Sequence, residues 1–220
     1  MSAEPAAPAG EHWWPVMGAI VAVAVLHTLL PDHWRIEPVW LTPAVLAGLL
    51  VTLLVGDPGR IDRQKVWLRV VTIVVIGAIT LANFAAAARL VTDIVDSSKR
   101  FSNDPEGLLG TGAVIWVTNV LAFALWYWDL DRGGAAARAR PDTAPLPAFV
   151  FPEMQHTDYV RGPWVPVFVD YLSLSFWTAT AFSPTDTSAI KGWSKLLMMV
   201  EAGASLALGA LVIARAVNIL

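Results

Sequence analysis

The chain has 220 residues, of which 56% are hydrophobic and only 15% charged, against about 25% charged in a typical soluble domain. A formal net charge of -3 with no lysine- or arginine-rich block excludes a nucleic-acid-binding face, and no nucleic-acid partner is expected. The absence of cysteine excludes disulfides, thiolate metal sites and cysteine nucleophiles together.

The N-terminal tail, residues 1–13, carries no lysine or arginine before the first apolar run, so it lacks the positive region of a secretory signal. The run that follows is expected to stay in the membrane as a helix. A bilayer core takes roughly 20 apolar residues in helical form. Five stretches meet or approach that length: 14–30, 39–55, 66–91, 108–126 and 193–219. All but Trp116 and Trp177 of the eleven tryptophans fall at or near the predicted ends, where an indole with an apolar body and one N–H donor settles between tails and headgroups. Pro31, Pro38, Pro58 and Pro105 fall in the short connections, where a missing N–H costs little. The expected fold is therefore all-α and integral to the cell membrane, multi-pass, with the lipid bilayer as its first partner. Residues 14–128 form a four-helix membrane region.

Residues 129–163 make one long connection rich in alanine, proline and arginine, with no helical or strand period. It is expected to be an extended surface loop, mobile at least over Gly133–Pro147. Residues 164–220 form the last region. Trp164–Phe182 is a weaker apolar stretch containing Asp170, Ser173, Ser175, Thr178 and Thr180. The run Ser183-Pro184-Thr185-Asp186 then breaks the helix, and Lys191-Gly192-Trp193 opens a fully apolar one. A short half-polar helix, a break and a long helix form the pattern of a re-entrant loop, which is tolerated at membrane depth when buried in protein or lining water. At close to 20 residues, Trp164–Phe182 is also long enough to be a sixth span.

From Thr178 to Asp186 the sequence reads Thr-Ala-Thr-Ala-Phe-Ser-Pro-Thr-Asp. In length, in its threonines and in its final aspartate, this run resembles the pore region of tetrameric potassium channels. The start of the last helix, Lys195 to Gly203, and its end, Val212 to Val217, look like a channel inner helix. The stretch also resembles an uncharacterised family of bacterial multi-pass membrane proteins with Phe-Val-Asp-Tyr and Ser-Pro-Thr-Asp in the same places. The likeness covers roughly the last quarter of the chain. It implies a short pore-like helix, a homotetramer, a monovalent cation as the permeant species, and pore-lining roles for Thr178, Thr180, Ser183, Thr185 and Asp186. Both filter glycines are replaced, by Ser183 and Thr185, and the filter tyrosine by Pro184. Glycine permits the backbone angles that aim successive carbonyls at an ion, so these replacements point to a wider, hydroxyl-lined path.

Three ionisable residues are candidates within the membrane region. Asp170 either caps the hydroxylated helix or attracts a cation. Glu201, about three turns into the last helix, is either functional or a brace behind the pore helix; its expected partner is Arg89, Arg215 of a neighbouring copy or a pore-helix hydroxyl. Arg89 is spaced to pair with Asp93. Asn83 and Asn119 fall mid-span and suit cross-helix bonds. His12, His27, His33 and His156 are scattered without metal-ligand spacing, and no catalytic or cofactor motif is present. No metal, cofactor or enzymatic activity is expected.

Arg60, Arg63, Lys65 and Arg69 precede the third stretch, and Arg132, Arg138, Arg140 and Arg161 lie in the long loop. Arg35, Lys99, Arg100, Lys191 and Lys195 are left for the opposite side. The positive-inside rule thus places the long loop in the cytoplasm, whereas the channel resemblance implies that the loop is extracellular. The functional expectation is a pore-loop cation channel without the usual glycine filter. The alternatives are a non-conducting structural or assembly protein, and a small transporter using Asn83, Asn119 and Glu201.

Overall fold

The computed structural model describes residues 11–31, 47–48, 66–96, 104–140, 144–156, 158, 160, 164–180 and 186–219. The described chain is mostly helical. Its elements are α1 (Trp14–Leu29), α2 (Val66–Val95), α3 (Pro105–Leu130), a 3-10 turn (Asp131–Gly133), α4 (Ala135–Arg138), β1 (Phe149–Val150), α5 (Pro152–Gln155), α6 (Phe168–Ala179), β2 (Ser188–Ala189) and α7 (Gly192–Ile219). Three helices, α2, α3 and α7, are long and apolar enough to cross a membrane, and α1 is a shorter apolar helix. Apart from residues 47–48, the expected span at 39–55 lies outside the described residues, as do Ser183 and Thr185.

Helix α3 is the hub. Asp104 caps it by accepting from the Gly107 N–H at 2.8 Å, with Pro105 and Glu106 in the first turn, where a fixed φ and a negative charge both suit a helix start. It is buried on most of its circumference, while α7 is buried on one stripe only. That stripe is Ser194, Glu201, Ser205, Leu208, Val212 and Ala216, spaced for one helix face. The two helices approach closely at Gly112, where an added Cβ would stand 2.8 Å from Val212 Cγ1. Pairs along the helices fix their directions. Arg69–Asp129, Thr80–Trp126 and Asn83–Asn119 make α2 antiparallel to α3. Tyr127–Glu201 and Asn119–Ser205 do the same for α7.

These directions define two ends of the bundle. The loop end gathers Glu11, Arg69, the close of α3, the connection after it and the start of α6. The far end gathers Leu30, Leu90, Leu108 and Ala216 in a second apolar cluster. Helices α1, α2 and α7 run from the loop end to the far end; α3 runs back.

The long connection is not extended over its first part. After α3 the backbone turns through Arg132, Gly133 and Gly134, all at positive φ (51°, 82° and 94°), which is the left-handed region that glycine adopts without strain. Helix α4 follows, and Ala135, Ala136, Arg138, Ala148 and Phe149 are buried. The composition of this segment gave no period because its order comes from single buried side chains, not from a repeating face.

Helix α6 is 12 residues long. At 1.5 Å per residue it rises about 18 Å, short of the roughly 30 Å of a bilayer core. It begins at the loop end, where the Phe168 N–H donates to Glu11 and the Tyr171 hydroxyl to Asp131. The chain is back at the same end by β2, which pairs antiparallel with β1 in the register Phe149↔Ala189 and Val150↔Ser188. The Ile190 N–H donates to the Ala148 carbonyl at 2.8 Å, and the Trp193 ring lies against Phe149. Lys191 and Lys195, at the opening of α7, therefore belong to the loop end and not to the opposite side, because α6 does not carry the chain across.

Trp126 and Trp128 differ from the interfacial reading. Trp126 is half-buried and donates to Thr80 Oγ1 at 2.9 Å; Trp128 is buried and donates to Glu11 Oε2 at 2.8 Å. Their N–H groups find protein partners because α3 continues past them to Leu130.

Candidate functional site

Three polar clusters lie inside the bundle, two of them against the buried face of α6. The first lies at the loop end. Asp131, with no exposed surface, accepts from the Ala148 N–H at 2.7 Å and from the Tyr171 hydroxyl at 2.6 Å. Arg138, only 2% exposed, donates to the Trp128 carbonyl at 2.6 Å and the Asp131 carbonyl at 3.0 Å. Its guanidinium lies 3.6 Å from Glu11 and over the rings of Trp128 and Tyr171. Glu11 also accepts from the Phe168 N–H at 2.5 Å, the first orphan donor of α6. Arg132 stands 3.9 Å from Asp131, and Arg69 stands 3.6 Å from Asp129. Three carboxylates thus meet three guanidiniums, so each buried charge has an opposite charge within 4 Å. The cluster ties the N-terminal segment, α3, the long connection and α6 into one body.

Asp170 sits one turn into α6 and accepts from the Val167 N–H at 2.8 Å. This is the capping geometry. Burial raises its carboxyl above the ordinary aspartate value, the Val167 N–H pulls it down, and the nearby Glu153 and Glu11 push it up again.

The second cluster lies about two turns deeper. Glu201 of α7 has no exposed surface. One carboxyl oxygen contacts the Tyr127 hydroxyl of α3, and the other contacts the Ser175 hydroxyl of α6. Ser175 also lies 2.7 Å from the Val120 carbonyl. Of the partners expected for Glu201, the hydroxyl of the short helix is the one found. Arg89 is exposed, next to Leu90 near the far end.

The third cluster joins the three long helices. Asn83 Nδ2 donates to Asn119 Oδ1 at 3.4 Å, and Asn119 Nδ2 donates to Ser205 Oγ at 3.0 Å. Both asparagines are buried and are used across helices.

Of the candidate pore-lining residues, Thr178 is buried and donates to the Leu174 carbonyl at 2.8 Å. Thr180 follows the last turn of α6, is half-exposed and donates to the Trp177 carbonyl at 3.0 Å. Asp186 is exposed. The face of α6 that points away from the bundle exposes Val169, Phe176 and Trp177 together with the Ser173 hydroxyl. Near the loop end an open groove of about 670 Å³ is lined by Leu130, Pro145, Lys191, Trp193, Leu197 and Val200. Its walls lack the converging polar groups of a polar-solute site. Among the described residues no group of three histidine, aspartate or glutamate side chains is placed to hold a metal.

Sequence reasoning did not single out Glu11, Tyr127, Asp131, Arg138 or Tyr171. The signal that existed was weak: acidic and basic residues flanking a tryptophan-rich helix end. Comparison with known protein families, with curated proteins and with solved structures finds no match to this chain.

Proposed function

We propose that this chain is a five-span membrane protein with one re-entrant half-helix, α6, and that it serves as a pore-loop cation channel built without a glycine filter. The supporting observation is that α6 starts at the loop end and stops after about 18 Å, with β2 already back at that end. Helices α1 and α2 both run from the loop end to the far end, which suits the fifth span expected at 39–55. The carbonyl end of a helix carries partial negative charge. At Thr180 that end faces the membrane interior, where it favours a cation over an anion. The exposed apolar faces of α6 and α7 would be covered by lipid and by neighbouring copies in a homotetramer.

The loop end gathers Arg69, Arg132, Arg138, Lys191 and Lys195, so the charge rule places it in the cytoplasm. The half-helix then enters from the cytoplasmic side, opposite to the potassium channels that the sequence resembles.

A second reading has its own support. Ser175, Thr178 and Thr180 all bond within the chain, which suits a non-conducting structural or assembly protein. Potassium and sodium flux into liposomes holding the purified protein, with its oligomeric state measured in lipid, separates the two. A conducting tetramer supports the channel; a monomer with no flux leaves the structural reading.

A further inference from the structure

The hydrogen count around Glu201 carries an inference that does not depend on conduction. A serine hydroxyl has one hydrogen to donate, and a backbone carbonyl can only accept. Ser175 stands within bonding distance of both the Val120 carbonyl and one oxygen of Glu201. The Val120 contact at 2.7 Å takes the Ser175 hydrogen. The contact between Ser175 and Glu201 then needs a hydrogen from Glu201. The Tyr127 hydroxyl supplies the hydrogen for the other carboxyl oxygen. A neutral Glu201 supplies the hydrogen that its contact with Ser175 needs, whereas a carboxylate leaves one Ser175 hydrogen for both the Val120 carbonyl and Glu201.

The surroundings agree. Tyr127 on α3 is the other titratable group facing Glu201 among the described residues. From α6 it meets the Ser175 hydroxyl, with Thr178 beside Tyr127. Tyr171 of α6 is taken by Asp131 at the loop end. One turn along α7, Ser205 is held by the neutral Asn119, which binds Asn83 of α2. No arginine, lysine or histidine pairs with Glu201 among the described residues. An ionised carboxylate there would be buried without a counter-charge, which proteins avoid by neutralising the group.

We infer that Glu201 is a proton-binding site that, in its neutral form, clasps α6 to α3 and α7. In that form Glu201 donates to Ser175; losing the proton turns the Ser175 hydrogen from the Val120 carbonyl to the carboxylate and leaves a buried negative charge between three helices. Proton release therefore weakens the hold of α6 on α3 at Val120.

Infrared spectroscopy of the full-length protein in lipid at neutral pH tests this. A protonated-carboxyl C=O band is expected in the wild type. It should be absent in Glu201→Gln and shifted in Ser175→Ala, which removes the acceptor of the proton. Glutamine reproduces the neutral acid's bonds, its N–H to Ser175 and its C=O to Tyr127, so E201Q should fold. Its melting temperature should stay flat as pH is raised, while that of the wild type falls. A band unchanged in both variants overturns the inference. So does an E201Q protein that fails to fold at neutral pH, because the native group would then be the carboxylate.

Discussion

Arg138→Ala tests the claim that the connection after α3 is docked through buried charge. The substitution removes a guanidinium that is 2% exposed and holds two backbone carbonyls, at 2.6 and 3.0 Å. It leaves Glu11 without its ion pair at 3.6 Å, while Asp131 keeps Arg132 at 3.9 Å. Removing one partner of a buried pair costs about 3–5 kcal/mol, chiefly for the charge left behind. The released carbonyls lie within that range and are not added to it, because the contacts act as one network. Arg140 is two residues away and exposed, so Arg140→Ala should cost less than about 0.5 kcal/mol. The assay is reversible unfolding in mixed micelles, with limited proteolysis of residues 131–160 beside it. The Arg138 variant should be cut faster there than the wild type. Adding Glu11→Gln to Arg138→Ala should recover part of the loss, since the stranded charge is gone. A cost for Arg138→Ala below about 1 kcal/mol, or equal to that of Arg140→Ala, would refute the reasoning.

Gly112→Ala should destabilise by about 1–3 kcal/mol by forcing α3 from α7 at Val212, measured by the same unfolding assay, while Gly110→Ala, with open space at its Cβ, should be neutral or slightly stabilising. Phe149→Ala removes a ring with no exposed surface that touches Tyr127, Tyr171 and Trp193, and should cost about 3–5 kcal/mol. Asn119→Leu breaks both of its cross-helix bonds and should cost about 1–2 kcal/mol, with Asn83→Leu costing less because it breaks one. Tyr127→Phe strips Glu201 of one donor and should cost about 1–3 kcal/mol.

The long helices were legible in the sequence because runs of apolar residues leave few other options. Their limits were less so: α3 continues to Leu130, past the tryptophans that seemed to mark its end. Which helix stands at the centre was not legible, because α3 and α7 are similarly apolar while only α3 is buried on most sides. Glu201 was legible as a buried acid in need of a partner, and a hydroxyl of the short helix was among the partners named. Tyr127 was not, since a tyrosine near a helix end reads as an interfacial anchor. The loop-end cluster left almost no trace, because Glu11 and Phe168, which it joins, are 157 positions apart in the chain. Trp164–Phe182 was read on length, and its described helix, Phe168–Ala179, is shorter than that stretch.

The re-entry of α6 is the claim on which the rest depends, and the absence of native cysteine makes it directly testable. Single cysteines at Asp158, Ser188 and Asn218, all exposed, would be labelled with a membrane-impermeant maleimide in vesicles of both orientations. Asp158 and Ser188 should react from the same face, the cytoplasmic one, and Asn218 from the other. Labelling of Asp158 and Ser188 from opposite faces would mean that the stretch between them crosses the membrane, and would contradict the account.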